Sequence, residues 1–201
     1  MQFSDRIEAG RLLAQALSKF KGKSVCVYAL PRGGVPVAAE IAAALDAPLD
    51  LLLVRKIGAP MQPELAIGAV VDGGAPIVVR NEDIIRATGT REAEFDAICR
   101  HELAEIERRR KRYLPGRPAL SPEGKIAIVV DDGIATGATM RAALQATRKR
   151  HPKTLVLAVP VAAPDSLESL RAEVDEIVCA EVPEYLGAIG SFYRDFHQLS
   201  D

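Results

Sequence analysis

Apolar residues along this chain fall into two rhythms. Between Ser4 and Phe20, the residues Leu12, Leu13, Ala16, Leu17 and Phe20 recur three and four positions apart, with Ser4 as a candidate N-cap and Gly22 as a stop. That spacing predicts a helix with one buried face. At 24–30 the sequence SVCVYAL runs apolar without polar alternation. A run this short, with no side to turn to water, predicts a strand covered on both faces. The alanine- and leucine-rich stretch 35–47 predicts a helix beginning near Pro36, because proline is tolerated in the first turn. Strand, tight glycine turn and helix make a βα unit.

The alternation continues. LDLLLVRK (49–56) predicts a second buried strand, and KIGAPMQPE, with its glycine and two prolines, predicts a loop. LAIGAVVD (65–72) and APIVVR (75–80) predict a hairpin turning at Asp72-Gly73-Gly74. Residues 90–113 predict one long helix with Phe95, Ile98, Leu103, Ile106 and Tyr113 on a shared stripe, ended by Pro115-Gly116. Further buried strands are expected at 125–132, 154–161 and 176–182, with helices near 138–150 and 165–173. Apolar strands alternating with helices indicate a parallel sheet, so the expected class is α/β, doubly wound, with ligands beyond the carboxyl ends of the strands. One domain over 1–201 is expected, with 57–120 inserted into it as a flexible loop and helical region.

Composition narrows the function classes. The net charge of −1 supplies no field to attract a polyanion, so a small ligand is favoured over nucleic acid. The segment RRRKRY (108–113) does not reverse this, because Glu92, Glu94, Glu102, Glu105 and Glu107 precede it on the same helix, as the helix dipole favours. No stretch approaches the roughly 18 apolar residues of a membrane span. Cys26, Cys99 and Cys179 are isolated, which fits reduced thiols and a cytoplasmic setting. His101, His151 and His197 show no metal-ligand spacing.

Chemistry concentrates in AIVVDDGIATGATM (127–140), where a buried strand runs into two carboxylates and then into small and threonine residues. Asp131 and Asp132 fall where the strand leaves the sheet, and neighbouring residues there point to opposite sides, so the pair can hold two different partners. Ala135, Thr136, Gly137, Ala138 and Thr139 lead into a helix whose first amides lack internal acceptors. That helix mouth suits a phosphate. A second anion site is suggested by LPRGGVP (30–36), where Arg32 offers a guanidinium and Gly33 and Gly34 unobstructed amides.

The segment 127–140 resembles the signature of type I phosphoribosyltransferases, which use 5-phosphoribosyl 1-diphosphate (PRPP). PRGG resembles the diphosphate loop of that family, and Arg55-Lys56 the RK pair preceding its mobile loop. The resemblance implies a Rossmann-like doubly wound parallel sheet, the type I phosphoribosyltransferase fold, with a variable hood. It implies that Asp131 and Asp132 hold the ribose hydroxyls and associated Mg²⁺, and that residues 135–139 cradle the 5-phosphate. Arg32, Gly33, Gly34, Arg55 and Lys56 would take the diphosphate, with Arg32 and Lys56 joining the two acids in catalysis. Ala135 replaces the Asp that several 6-oxopurine members carry. The tail 183–201 holds Tyr185, Phe192, Tyr193 and Phe196 and is expected to contribute to the hood, with Phe192 and Tyr193 as acceptor-stacking candidates. The activity implied is Mg²⁺-dependent transfer from PRPP to a small nitrogenous acceptor such as a nucleobase, by a homodimer. A PRPP-sensing regulator acting on nucleic acid or a protein is the rival reading, because fold alone does not establish catalysis.

Overall fold

Strands that cannot face water need a partner strand on each side and a helix over each face. The computed structural model describes residues 2–200. Its strands, in chain order, are β1 (Val25–Ala29), β2 (Leu49–Leu51), β3 (Val54–Ala59), β4 (Gln62–Val71), β5 (Ile77–Arg80), β6 (Ile126–Val130), β7 (Thr154–Val161) and β8 (Glu176–Glu181). The helices are α1 (Arg6–Ala16), α2 (Gly34–Leu45), α3 (Glu82–Thr88), α4 (Glu92–Tyr113), α5 (Ala138–Arg148) and α6 (Pro164–Leu170). They form two compact units: residues to Leu52 with Leu120 onward, and Leu53–Ala119. No described helix is long and apolar enough to cross a membrane.

In the larger unit five parallel strands lie in the order β2-β1-β6-β7-β8. All five residues of β1 and of β6 are buried. Alternate residues Val25, Val27 and Ala29 of β1, with Ile126, Ile128 and Val130 of β6, pack against Leu13 and Leu17 near and beyond the end of α1 and against Val37 and Ile41 of α2. Each fully buried valine, leucine or isoleucine side chain among them contributes about 1.5–3 kcal/mol. Across β6 and β7 lies α5, with Met140, Ala143 and Leu144 buried. Successive strands are added toward one edge from β1 and toward the other from β6. That pair is the topological switch point, where the carboxyl ends of adjacent strands diverge and leave a crevice.

Helix α1 is capped one residue later than Ser4. Asp5 lies in an extended conformation, and its carboxylate accepts the Glu8 amide at 2.8 Å. The Ser4 amide instead donates to the Glu8 carboxylate.

The smaller unit is an antiparallel sheet, β3-β4-β5, packed with α3 and α4. Its core includes Ile57, Ile67, Val70, Phe95 and Ile106. The β4–β5 hairpin and the long α4 stand where the sequence predicts them, with Gly73 and Gly74 at positive φ in the turn. Two expectations are corrected. The run 49–56 is not one strand: β2 ends at Leu51, and Arg55 and Lys56 lie within β3 of the other sheet. The segment 56–64 is a hairpin arm rather than a loop, turning at Pro60 and Met61. Gly58 sits at a register shift where a Cβ would collide with the Pro63 carbonyl oxygen, so this glycine marks a close approach within a sheet.

Candidate active site

The loops after β1 and β6 meet at the switch point. Leu30 N–H donates to Val130 O at 2.9 Å, holding the two strand ends together. The turn that follows, with a cis Pro31–Arg32 peptide, presses Gly33 and Gly34 against the acidic pair. A Cβ on Gly33 would collide with Asp132 Oδ2, and one on Gly34 would lie 2.7 Å from Val130 O and 2.9 Å from Asp131 Cα. Gly33 has φ −61°, a conformation open to any residue, so space rather than backbone freedom calls for glycine there. The Gly34 amide donates to Leu30 O at 3.0 Å. That bond engages the Gly34 amide within the turn, and Arg32 is part-exposed beside it.

The two carboxylates differ. Asp132 is buried, and its Oδ2 accepts a hydrogen bond from Arg6 Nε at 2.8 Å. Its main-chain carbonyl accepts one from Tyr193 Oη at 2.6 Å. Asp131 is half-buried, and its Oδ1 accepts the Asp132 amide at 2.8 Å. Burial, then the adjacent Asp132 charge, pushes the Asp131 carboxyl well above its ordinary range, with Arg6 opposing only weakly. A carboxylate in this state gains from hydroxyl donors or a cation.

Beyond the pair, Ile134 bonds to Val161 O at 2.9 Å, and Ser166 Oγ donates to Ala135 O, which together fix the loop to the end of β7 and to α6. Gly137, at φ 76°, turns the chain into α5. No side chain caps α5, Thr139 included, and Ala135, Thr136, Ala138 and Thr139 are exposed. An open helix mouth with two threonine hydroxyls at its rim suits a phosphate.

Other predicted residues are engaged differently. Arg55 and Lys56 belong to the smaller unit, where Arg55 Nε donates to Glu102 at 2.7 Å and Lys56 Nζ to Glu64 at 3.0 Å. Tyr193 is 4% exposed, with its ring against Phe3 and Phe196 at centroid separations of 5.4 and 4.9 Å. It is a packed ring that anchors Asp132, which corrects its expected role as an open stacking surface. Phe192 is half-buried at the same cluster. Asp201, the last residue of the expected hood segment, lies outside the described residues.

Arg6 is not among the residues the sequence marks, and Tyr185 is marked only as one aromatic of the expected hood segment. Arg6 occupies the first position of α1, where the helix dipole disfavours a cation. An arginine there signals a partner elsewhere. Tyr185 follows β8 and is 84% exposed. The segment carrying it returns toward the acids, since Ile189 comes within 2.6 Å of a Cβ built on Gly133. In the sequence its signal is a single aromatic in a glycine-containing segment that follows an apolar run.

The described residues hold no cluster of three or more metal-ligating side chains. The donor set, the Asp131 carboxylate with one oxygen accepting only a backbone amide, still fits Mg²⁺, which is commonly bound by one or two carboxylates with water and ligand phosphates. A cavity of about 660 Å³ in the smaller unit, lined by residues including Met61, Leu65, Ile84 and Thr88, carries neither the acidic pair nor the helix mouth. Its size alone does not make it the reactive site.

Comparison with known proteins agrees with this geometry. The sequence matches the phosphoribosyl transferase domain over residues 5–196. The chain belongs to this family. A Mycobacterium tuberculosis H37Rv protein, Rv0571c, named provisionally as a phosphoribosyl transferase, is 48% identical over 199 residues, covering 99% of this chain and 44% of that protein. The chain thus spans less than half the length of the curated relatives it matches. The crystal structure of TT1426 from Thermus thermophilus is 40% identical, with a TM-score of 0.87, over 100% of this chain and 94% of that one. The AQ2163 protein of Aquifex aeolicus shares the fold at 14% identity and a TM-score of 0.54, over 92% of this chain and 78% of that one.

Proposed function

We propose that this domain binds PRPP at the β1–β6 switch point and transfers its 5-phosphoribosyl group to a nitrogenous acceptor, releasing diphosphate. One observation carries the reading: Gly33 and Gly34 of the turn after β1 lie so close to the Asp131-Asp132 pair that a Cβ on either would collide with it, and the open mouth of α5 is a few residues further on. A ligand with an anion at each end of a diol is the complement of that arrangement.

In this reading the α5 mouth, Thr136 and Thr139 anchor the 5-phosphate, and Asp131 orients the ribose through its hydroxyls. Arg32 and the Gly33 amide face the diphosphate. As the bond from C1 to the diphosphate oxygen breaks, the electron pair leaves with the diphosphate, and positive charge grows on the ribosyl ring. The acceptor nitrogen forms the new bond to C1 from the opposite face, and its proton passes to water. The chain acts by position and by fixed charge: donors held at the departing anion stabilise the transition state more than the ground state. Asp131 is the residue that would hold Mg²⁺, jointly with PRPP oxygens and water, and the ion would supply further charge to the leaving diphosphate. Tyr185 is the aromatic surface offered to the acceptor, and its exposed face suits stacking on a planar heterocycle.

The direct assay is diphosphate release from Mg-PRPP with adenine, guanine, xanthine, uracil, orotate and non-nucleobase amines. We expect turnover with at least one, and a loss of at least a hundredfold in Asp131→Asn. Tight PRPP binding with no transfer to any acceptor rejects the enzyme reading and supports a PRPP sensor.

A further inference from the structure

Arg6 is where the larger unit departs from what its local sequence explains. The residue is 8% exposed, at a helix start that disfavours positive charge. Its bonds run far along the chain: Nε to Asp132 Oδ2 at 2.8 Å and Nη1 to the His197 carbonyl at 3.1 Å. The guanidinium also lies 3.9 Å from the Phe196 ring centroid. Stacking and the His197 bond leave it little room to turn, so the carboxylate it grips is fixed as well.

The other side of that carboxylate is occupied. Both Asp132 oxygens would lie within 2.8 Å of a Cβ on Gly33, so the carboxylate rests on the backbone of the β1–α2 turn. Asp132 is thereby clamped between Arg6 and Gly33, with its own carbonyl tied to Tyr193. Among the described residues, the Asp131 side chain has one hydrogen bond, from its neighbour's amide. Adjacent acids of the same type thus stand in unlike positions.

We propose that Arg6 is a positioning residue for the diphosphate half of the site: by holding Asp132 against Gly33 it sets the Arg32–Gly33 turn, and it leaves Asp131 as the carboxylate that receives the ribose hydroxyls. This deepens the PRPP-binding reading and rests on it. Asp132 acts as a wedge under the anion turn, and its charge is neutralised within the protein. Replacing Arg6 frees the wedge and lets the turn relax, so recognition of the diphosphate suffers. The 5-phosphate end is spared, because the bonds of Arg6 run to Asp132 and His197 and not to residues 135–139.

The test uses the full chain, wild type, Arg6→Gln and Arg6→Lys, with two probes: Mg-PRPP by calorimetry and inorganic phosphate by thermal shift. Expected for Arg6→Gln is a PRPP Kd raised at least tenfold with the phosphate-induced shift retained. Arg6→Lys keeps a charge near Asp132 without the planar fork and should weaken PRPP binding at least threefold. A PRPP loss below threefold in folded Arg6→Gln overturns the proposal. So does a parallel loss of PRPP and phosphate responses, which marks Arg6 as packing alone. Should Arg6→Gln not fold, Arg6→Lys decides by the same two criteria. Wild-type protein indifferent to Mg-PRPP removes the functional reading itself, and this inference with it.

Discussion

At the scale of single residues, one hydroxyl shows how much of the site is held from a distance. Tyr193 Oη donates to the buried Asp132 carbonyl at 2.6 Å. Tyr193→Phe keeps the ring and removes the donor, leaving a carbonyl short of its partner at a cost of about 1–3 kcal/mol. Urea denaturation should show a lower midpoint with an unchanged slope, and an unchanged midpoint would deny the bond its role. A second expectation concerns Cys179, whose thiol burial pushes up to about 11. Thiolate is the nucleophile. Alkylation of native protein should therefore keep accelerating with pH beyond 9 and level off only near 11, which mass spectrometry of the labelled peptide can follow. The acids and the threonine loop are legible in the sequence because they are neighbours within one segment. Arg6 and Tyr193 are not, since their bonds to Asp132 span 126 and 61 residues. No local pattern records a contact of that separation, although a cation at a helix start hints at one.

At the scale of elements, hydrophobic runs located every strand of the parallel sheet and missed one corner. Residues 49–56 read as a single run, yet the backbone changes sheets inside it. Leu52 N–H still bonds to Ala29 O at 2.9 Å, while Leu53 N–H turns to the buried Asp72 carboxylate at 2.7 Å. Apolar identity continues through the corner because both sides are buried, so composition cannot mark it. The hairpin at β3–β4 was obscured for the opposite reason: its glycine and prolines punctuate like a loop while pairing like a strand. Acid titration tests another joint between elements. The Asp175 carboxylate accepts Arg148 Nη1 at 3.0 Å and the Leu155 amide at 2.7 Å, joining the end of α5 to the start of β7. The Arg148 bond, followed by the Leu155 amide, holds its carboxyl below the ordinary range despite some burial. A depressed folded value means the folded state binds a proton less readily than the unfolded chain. The contribution is therefore complete above the unfolded value of about 3.9 and fades as pH falls through the folded one. Asp175→Asn should show a shallower fall in melting temperature between about pH 5 and about 2 than wild type. Parallel curves would mean the joint contributes nothing.

At the scale of the molecule, the chain leaves the parallel-sheet unit after Leu52 and returns at Leu120. Both ends are secured within that unit. Leu52 is held to β1 through Ala29, and Leu120 N–H donates to Asp50 Oδ2 at 2.9 Å while its carbonyl accepts Tyr28 Oη at 2.9 Å. Since Asp50 is two residues from Leu52, the exit and the return are close neighbours, spanned by about four flexible residues at roughly 3.3–3.6 Å each. The core around β1, β6, α1 and α2 includes no residue from 53–119. Neither do Arg6, Gly33, the acidic pair and the α5 mouth draw a hydrogen bond from that stretch among the described contacts. Joining Leu52 to Leu120 through a Gly-Ser linker should thus give a chain that folds alone, melts cooperatively and keeps its thermal response to inorganic phosphate. Loop closure favours this, because replacing a long excursion by a short tether lowers the entropy lost on folding. A disordered product by circular dichroism would show that the parallel sheet depends on the smaller unit; a folded product deaf to phosphate would mean that the α5 mouth is not, by itself, the anion site.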